Sequence, residues 1–269
     1  MKLAAIQLRS GTDINANIQA ASALIRRAAA QGASFIATPE MTNILQRSPK
    51  RLHAAIKPME QAPEVAAFAA LAKELGIDLL IGSMAFAAGE KRAVNRAVLF
   101  GSDGQMRVHY DKIHLFDVTI SRAETWKESN VYDRGDKAVV ADITGAKIGL
   151  SICYDLRFAN LYKNYAGQGA QIIAAPAAFT VPTGQAHWEA LLRARAIETG
   201  SFMVAPAQGG AHEDGRQTYG HSMIIGPWGD VRASLDHDNP DICIAEIDLA
   251  DVMDARAKIP AWNYAPDFT

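Results

Sequence analysis

Short apolar runs alternate with alanine-rich amphipathic segments along the chain, and this alternation restricts the fold more than any other feature. The runs are "LAAIQL" (3–8), "SFIATP" (34–39), "IDLLIGSMAF" (77–86), "RAVLFG" (96–101), "KIGLSI" (147–152), "AQIIAAP" (170–176), "SFMVAPA" (201–207), "HSMIIG" (221–226) and "DICIAEI" (241–247). Each reads as a buried strand. Several of the segments between them have helical spacing. "NIQAASALIRRAAAQG" puts Ile18, Ala21, Ile25 and Ala28 on one face with Arg27 opposite, and ends at Gly32. "PEVAAFAALAKELG" starts near a proline and stops at Gly76; "QAHWEALLRARAIETG" closes at Gly200. Proline at the start and glycine past the end is the usual polarity of helix boundaries. Residues 77–101 and 221–247 read as hairpin-like pairs. The prediction is an α/β or layered α+β architecture.

No linker-like tract and no repeat divides the chain, so residues 1–269 read as one domain. Residues 111–136, "DKIHLFDVTISRAETWKESNVYDRGD", stand apart, with many charges and no strong periodicity. A loop of that length inside a compact domain is usually functional or mobile. "IPAWNYAPDFT" is rich in aromatics and prolines, and residues 255–269 are expected to form a tail that docks on a partner subunit.

The chain has 269 residues, 49% of them hydrophobic, which is enough for a full core. The net charge is -2 and no long basic run occurs, which argues against a nucleic-acid surface or a polybasic membrane anchor. No apolar stretch approaches the roughly 20 residues of a membrane span. The opening "MKLAAIQL" is interrupted by Arg9 before it reaches signal-peptide length. Two cysteines make no disulfide framework. A cytoplasmic location is expected.

Cys153 lies in "LSICYDLRF", where a strand-like run stops and a helix-like stretch begins near Leu156. A residue at such a turn is lifted clear of the sheet, and the following amides can face a developing anion. A thiol there is a nucleophile if a base takes its proton. Position alone leaves a buried structural cysteine equally open. Cys243 alternates with apolar neighbours in "DICIAEI" and reads as structural. None of the seven histidines sits in a recognisable catalytic signature, and HExxH, CxxC and GxSxG are all missing. The base must then be a carboxylate or a lysine. Glu40 in "FIATPEMTN" follows a buried strand, at the mouth where α/β proteins place their sites, and burial there is expected to raise its pKa. Lys112 in "YDKIHLF" follows the strand-like "QMRVHY" and suits an oxyanion holder; each residue alone also reads as an ordinary solvated charge.

Together, "ATPEM", "YDKIHLF" and "SICYDLRF" resemble the nitrilase superfamily of carbon–nitrogen hydrolases in order and spacing, and the likeness runs from "LAAIQL" to "AWNYAPD". The resemblance implies an α-β-β-α sandwich with Cys153 as nucleophile, Glu40 as base and Lys112 as the third member. It implies a second glutamate, matched by Glu128 in "KESN", with Glu124 as rival. It also implies a small-molecule amide substrate and a homodimer or higher homo-oligomer, while Tyr154, Phe179 and Thr183 are expected as pocket walls because they follow strand ends at the same edge, and no cofactor or metal is expected because the thiol does the covalent step. "PTGQAHWEALLRARAIETG" and "YGHSMIIGPWGD" look like the branch of deaminated glutathione amidases and ω-amidases. The expected activity is hydrolysis of a carboxylate-bearing amide to acid and ammonia through a thioester. A nitrilase, an N-carbamoylase, an aliphatic amidase and a catalytically idle regulatory member stay open, as does a thiol redox protein if Cys153 and Cys243 could pair. After Glu40, "TNILQRSPKRLHAAIKPMEQAPE" departs from the branch pattern; Arg47, Lys50 and Arg51 could attract an acidic substrate or form a solvated basic loop.

Overall fold

The computed structural model describes residues 1–120 and 125–263. Glu124, the rival to Glu128, and residues 264–269 of the expected tail lie outside the described residues.

The first half builds one sheet with two helices on its outer face. Strand β1 (Lys2–Gln7) leads into helix α1 (Ile14–Ala30), which is capped by the Asp13 carboxylate accepting from Ala16 N at 2.9 Å. Strand β2 (Phe35–Ala37) is followed by the short helix α2 (Pro49–Ala55) and by α3 (Pro63–Leu75), which ends where Gly76 takes φ +63°. An L side chain is strained in that left-handed conformation, so glycine stops the helix cheaply. Strands β3 (Asp78–Ala87), β4 (Ala93–Phe100) and β5 (Met106–Asp111) complete the half. A connecting segment holds the hairpin β6 (Asp117–Thr119) and β7 (Thr125–Lys127), then β8 (Tyr132–Asp133) beside β4. The irregular stretch 111–136 is therefore partly a hairpin. Three-residue strands with charged, exposed ends give too little periodicity to show in sequence.

The second half repeats the plan. Strands β9 (Val139–Ile143) and β10 (Ala146–Leu150) precede a 3₁₀ turn at Cys153–Arg157 and helix α4 (Ala159–Gly167). Strand β11 (Ile172–Ala174), helix α5 (Val181–Thr199) and β12 (Phe202–Ala205) follow. A small ribbon of β13 (Gly209–Ala211) and β14 (Gln217–Tyr219) leads to β15 (Met223–Ile225), β16 (Val231–Ser234), β17 (Asp241–Glu246) and α6 (Ala250–Lys258).

The first sheet is ordered β17-β1-β2-β3-β4-β5 and the second β16-β15-β12-β11-β10-β9. Each contains three parallel central strands, β1-β2-β3 and β10-β11-β12, flanked by antiparallel ones. The expected pair 77–101 forms as β3 against β4. The pair expected at 221–247 forms only in part: β15 and β16 are joined by a turn at Gly229, while β17 crosses to the other sheet and pairs with β1.

Side-chain alternation sorts the two faces. Leu3, Phe35, Leu80 and Leu99 share a core with Ile148, Ile172 and Val204 of the second sheet. Their neighbours Ala4, Ile36, Leu79 and Val98 pack outward on Ala21 and Ile25 of α1 and Phe68 of α3. Helices α4 and α5 contribute Tyr162, Tyr165, Trp188 and Leu192 to the core of the second sheet. The result is the α-β-β-α sandwich. The expected tail begins too early at 255: residues 255–258 are the last turn of α6, and Pro260–Asn263 form a 3₁₀ turn against α4, α5 and α6 of the same chain. Arg256, stacked 4.7 Å from the Trp262 ring, ties that turn down.

Candidate active site

Glu40 and Lys112 leave the first sheet, after β2 and β5, and Cys153 leaves the second after β10. The chain around Glu40 is fixed by backbone irregularity. Met41 takes φ +56°, and its N–H donates to Ser83 Oγ at 2.9 Å. Thr42 N–H donates to Ser83 O at 2.8 Å and Ser83 N–H to Pro39 O at 3.1 Å, where the β3–β4 register shifts between Ile81 and Met84. The strand's break thus clasps the Glu40 loop. Buried Gln208 adds a donor from Nε2 to Glu40 O at 3.0 Å.

Cys153 also has positive φ, +50°, at the head of the 3₁₀ turn; its N–H donates to Pro176 O at 2.8 Å. A left-handed non-glycine residue costs about 1–3 kcal/mol and persists where its surroundings force it. Here the enforcing group is Asp155, fully buried. It accepts from Ile152 N–H at 2.9 Å, Tyr110 Oη–H at 2.7 Å and His114 N–H at 2.9 Å, and contacts His114 Nδ1 at 2.7 Å. Asp155 therefore locks the cysteine turn to the segment carrying Lys112. The helix begins earlier than Leu156, as a 3₁₀ turn from Cys153 itself.

Lys112 is 2% exposed and lies between two carboxylates. Its Nζ donates to Glu40 Oε1 at 2.8 Å and to Glu128 Oε1 and Oε2 at 3.1 and 2.9 Å. Glu128 also accepts from Phe116 N–H at 2.6 Å. Asn95 Nδ2 bridges the pair, donating to Glu40 Oε1 at 2.9 Å and Glu128 Oε1 at 3.2 Å. Both nitrogen donors to the Glu40 side chain fall on Oε1. Glu40 also exchanges a hydrogen bond with the Cys153 thiol.

Burial pushes the Glu40 carboxyl upward, but the Lys112 charge and hydrogen bonds from Lys112, Cys153 and Asn95 outweigh it and hold Glu40 below the ordinary carboxylate range. The expectation of a raised Glu40 pKa is thus reversed, because the pairing exceeds the desolvation. Burial lowers Lys112, yet Glu128, Glu40 and Cys153 together keep it well above the ordinary lysine value. Burial and the facing Glu40 carboxylate push the Cys153 thiol well above the usual range, against opposing help from Lys112 and the Ala178 N–H. The site rests with a thiol, an ionised Glu40 and a charged Lys112.

These groups open onto a cavity of about 340 Å³. Tyr154, Phe179 and Thr183 line it, and so does Arg157, whose guanidinium lies 5.9 Å from the Tyr154 ring and 5.4 Å from the Phe179 ring. Aromatic contacts continue along the wall from Tyr154 to Phe116 at 5.1 Å and from Phe116 to Trp126 at 6.2 Å. Arg47 and Arg216 lie 5.0 and 5.5 Å from the Trp126 ring. Lys50 does not line this cavity; it lies in the first turn of α2 beside Arg51. Sequence reasoning missed Asn95, Asp155, Arg157, Arg216 and Gln208. Cys243 packs in the core on β17, and both cysteines are free thiols.

The sequence model of the carbon–nitrogen hydrolase family matches residues 2–257. A deaminated glutathione amidase from Synechocystis is 38% identical over 270 residues, covering 97% of this chain and 96% of that protein. The deaminated glutathione amidase of Bos taurus is 36% identical over 267 residues, covering 97% of this chain and 81% of its own. Among solved structures, the Caenorhabditis elegans NitFhit protein superposes with a TM-score of 0.90 at 35% identity, covering 98% of this chain and 64% of that fusion chain. Saccharomyces cerevisiae Nit3, described as a member of branch 10 of the nitrilase superfamily, gives a TM-score of 0.86 at 27% identity, covering 97% and 94%.

Proposed function

The chain belongs to the carbon–nitrogen hydrolase family, and from that membership we propose that it is a cysteine-dependent amidase acting on a small amide that carries a carboxylate. The observation that carries the reading is the buried Glu40–Lys112–Glu128 network set against the Cys153 thiol. Glu40 takes the thiol proton as sulfur attacks the amide carbonyl carbon. With Oε1 held by Lys112 and Asn95, Oε2 is the oxygen left for that proton. Lys112 has three N–H donors. One serves Glu40 and one is shared between the two Glu128 oxygens, which leaves the third for the tetrahedral oxyanion. The Tyr154 N–H, in the first turn after the nucleophile, is the second oxyanion donor. Glu40 returns the proton to the departing nitrogen as the C–N bond breaks. It then takes a proton from water, which attacks the thioester; acid leaves and the thiol is restored. Glu128 keeps Lys112 charged and aimed. No cofactor enters, because the thiol performs the covalent step.

Arg157, at the cavity wall with no carboxylate partner among the described residues, suits the carboxylate of the acyl part. The named relatives suggest the acyl group of deaminated glutathione, and α-ketoglutaramate carries the same acyl group on a primary amide. Ammonia leaves only from the primary ω-amide; deaminated glutathione releases cysteinylglycine, so keto-acid formation is the assay common to both. The test is keto-acid release from deaminated glutathione and α-ketoglutaramate by wild type and Cys153→Ala. Turnover that disappears in the variant supports the reading. A folded wild type inactive on both overturns the substrate, and a Cys153→Ala rate near wild type overturns the mechanism.

We assign the enzyme to the cytoplasm, in keeping with its two unbridged cysteines. Among the described residues no helix is long and apolar enough to cross a membrane. We also assign it a homodimeric state, for which the outer surface of the second half offers Ile197, Trp228, Met253 and Ile259, all more than half exposed.

A further inference from the structure

We propose that Arg47, with Arg51 beside it on the rim, forms a subsite for a carboxylate carried by the leaving amine. The inference rests on the amidase reading above and adds to it which end of the substrate faces which cation. Glu40 delivers a proton to the departing nitrogen, so the amine must lie on the Glu40 side of the carbonyl. The wall on that side is Glu40's own continuation: Met41, Ile44, Leu45, Gln46 and Arg47 all line the cavity. Beyond it a second groove of about 470 Å³ shares Ile44, Gln46 and Arg47 with the first and continues to Arg51. The acyl side, with Phe179, Thr183 and Arg157, belongs to the other sheet's loops.

The charges in this outer groove are distributed to suit an anion. Its two acids are already engaged: Asp214 is paired with Arg216 at 2.8 Å, and Glu213 accepts from Thr12 N–H and Oγ1–H at 2.8 Å each. Arg47 and Arg51 have no carboxylate partner among the described residues. Arg47 is nonetheless positioned, since its guanidinium sits 5.0 Å from the Trp126 ring, with Arg216 at 5.5 Å from the same ring. Arginine stacked on an indole keeps its planar fork available for a carboxylate. An amide with an acid at each end would then span the nucleophile, one acid at Arg157 and the other at Arg47.

The experiment compares two amides with the same acyl group. Deaminated glutathione releases an amine bearing a carboxylate, and α-ketoglutaramate releases ammonia. Keto-acid formation is followed for wild type, Arg47→Gln, Arg47→Lys and the Arg47→Gln/Arg51→Gln double variant. The expected result is a fall of about ten-fold in the kcat/KM ratio of the first amide to the second in Arg47→Gln, the scale of one partly exposed charge-assisted contact. The fall should reside in KM, deepen in the double variant and be partly reversed in Arg47→Lys. In wild type the same ratio should drop with added salt. Activity on both amides with a ratio unchanged in the double variant overturns the subsite and leaves the amidase reading intact. A wild type inactive on both overturns the two together.

Discussion

At the level of single residues, the site is a balance among three charges and a thiol. The Glu40 carboxylate raises the Cys153 pKa both by its charge and by its hydrogen bond, after burial, while Lys112 works in the opposite direction. Neutralising the base should therefore leave Lys112 to favour the thiolate. Glu40→Gln is expected to abolish turnover yet make Cys153 alkylate several-fold faster with iodoacetamide at pH 8. Slower alkylation in this variant would show that Glu40 activates the resting thiol directly. The pH profile follows from the same network. Burial raises Glu40, but Lys112, Cys153 and Asn95 hold it below the ordinary carboxylate value, so its ionised form survives to lower pH. Activity and the stability this ion contributes are both lost only as pH falls through that lowered value. Asn95→Ala removes a donor to Glu40, so the acid limb of kcat/KM should move upward in pH; a limb that stays in place would mean Asn95 only fills space. Asn95 was legible in principle. It occupies an inward position of β4, two residues before buried Ala97, where an apolar residue is expected. Asp155 was not, because its partners Tyr110 and His114 lie more than forty residues away in sequence.

At the level of elements, the site depends on two loops from different sheets approaching closely, and one glycine permits it. A Cβ on Gly82 would overlap the Thr38 carbonyl oxygen and Pro176 Cβ and lie 2.8 Å from Pro39 O. Thr38 and Pro39 lead into Glu40, and Pro176 O accepts the Cys153 N–H. Gly82 has no unusual φ, so it is required for space and not for conformation. Gly82→Ala should cost about 1–3 kcal/mol by urea unfolding, the usual scale of overpacking, and lower kcat far more than the stability loss explains. A variant with full activity would show that the two loops can part without consequence. The sequence revealed the central strands because buried strands are continuously apolar, and it showed the half-buried edge strand β17 through the apolar middle of "DICIAEI". It hid β13, β14 and β16, whose short lengths and exposed alternate residues imitate loops. It also hid which sheet β17 joins, since the apolar pattern of "DICIAEI" fits either partner.

At the scale of the whole molecule, two similar halves meet across the inter-sheet core, and Glu40 and Cys153 each lie just past a parallel strand, Glu40 after the second of its sheet and Cys153 after the first of the other. The proposed catalytic constellation is thus assembled by packing the sheets together and not by either sheet alone. Helix α5 extends that dependence outward. Its first turn holds Thr183 at the cavity, and Ile197 lies fourteen residues further on, about 21 Å along the axis. Beside Ile197 are Gly229 and the exposed Trp228, whose ring lies 6.0 Å from Lys258 Nζ, next to Ile259. The proposed homodimer would bury Ile197, Trp228 and Ile259, large apolar side chains otherwise left in water. Wild type is expected to sediment at twice its 29.0 kDa chain mass, and Ile197→Glu/Trp228→Glu at 29.0 kDa. Because α5 links this surface to Thr183, the separated chains should also show a higher KM, while Cys153 alkylation, set by the interior network, should not change. Wild type sedimenting as a single chain would remove the dimer; a dimer that survives both charges would move the interface elsewhere on the molecule.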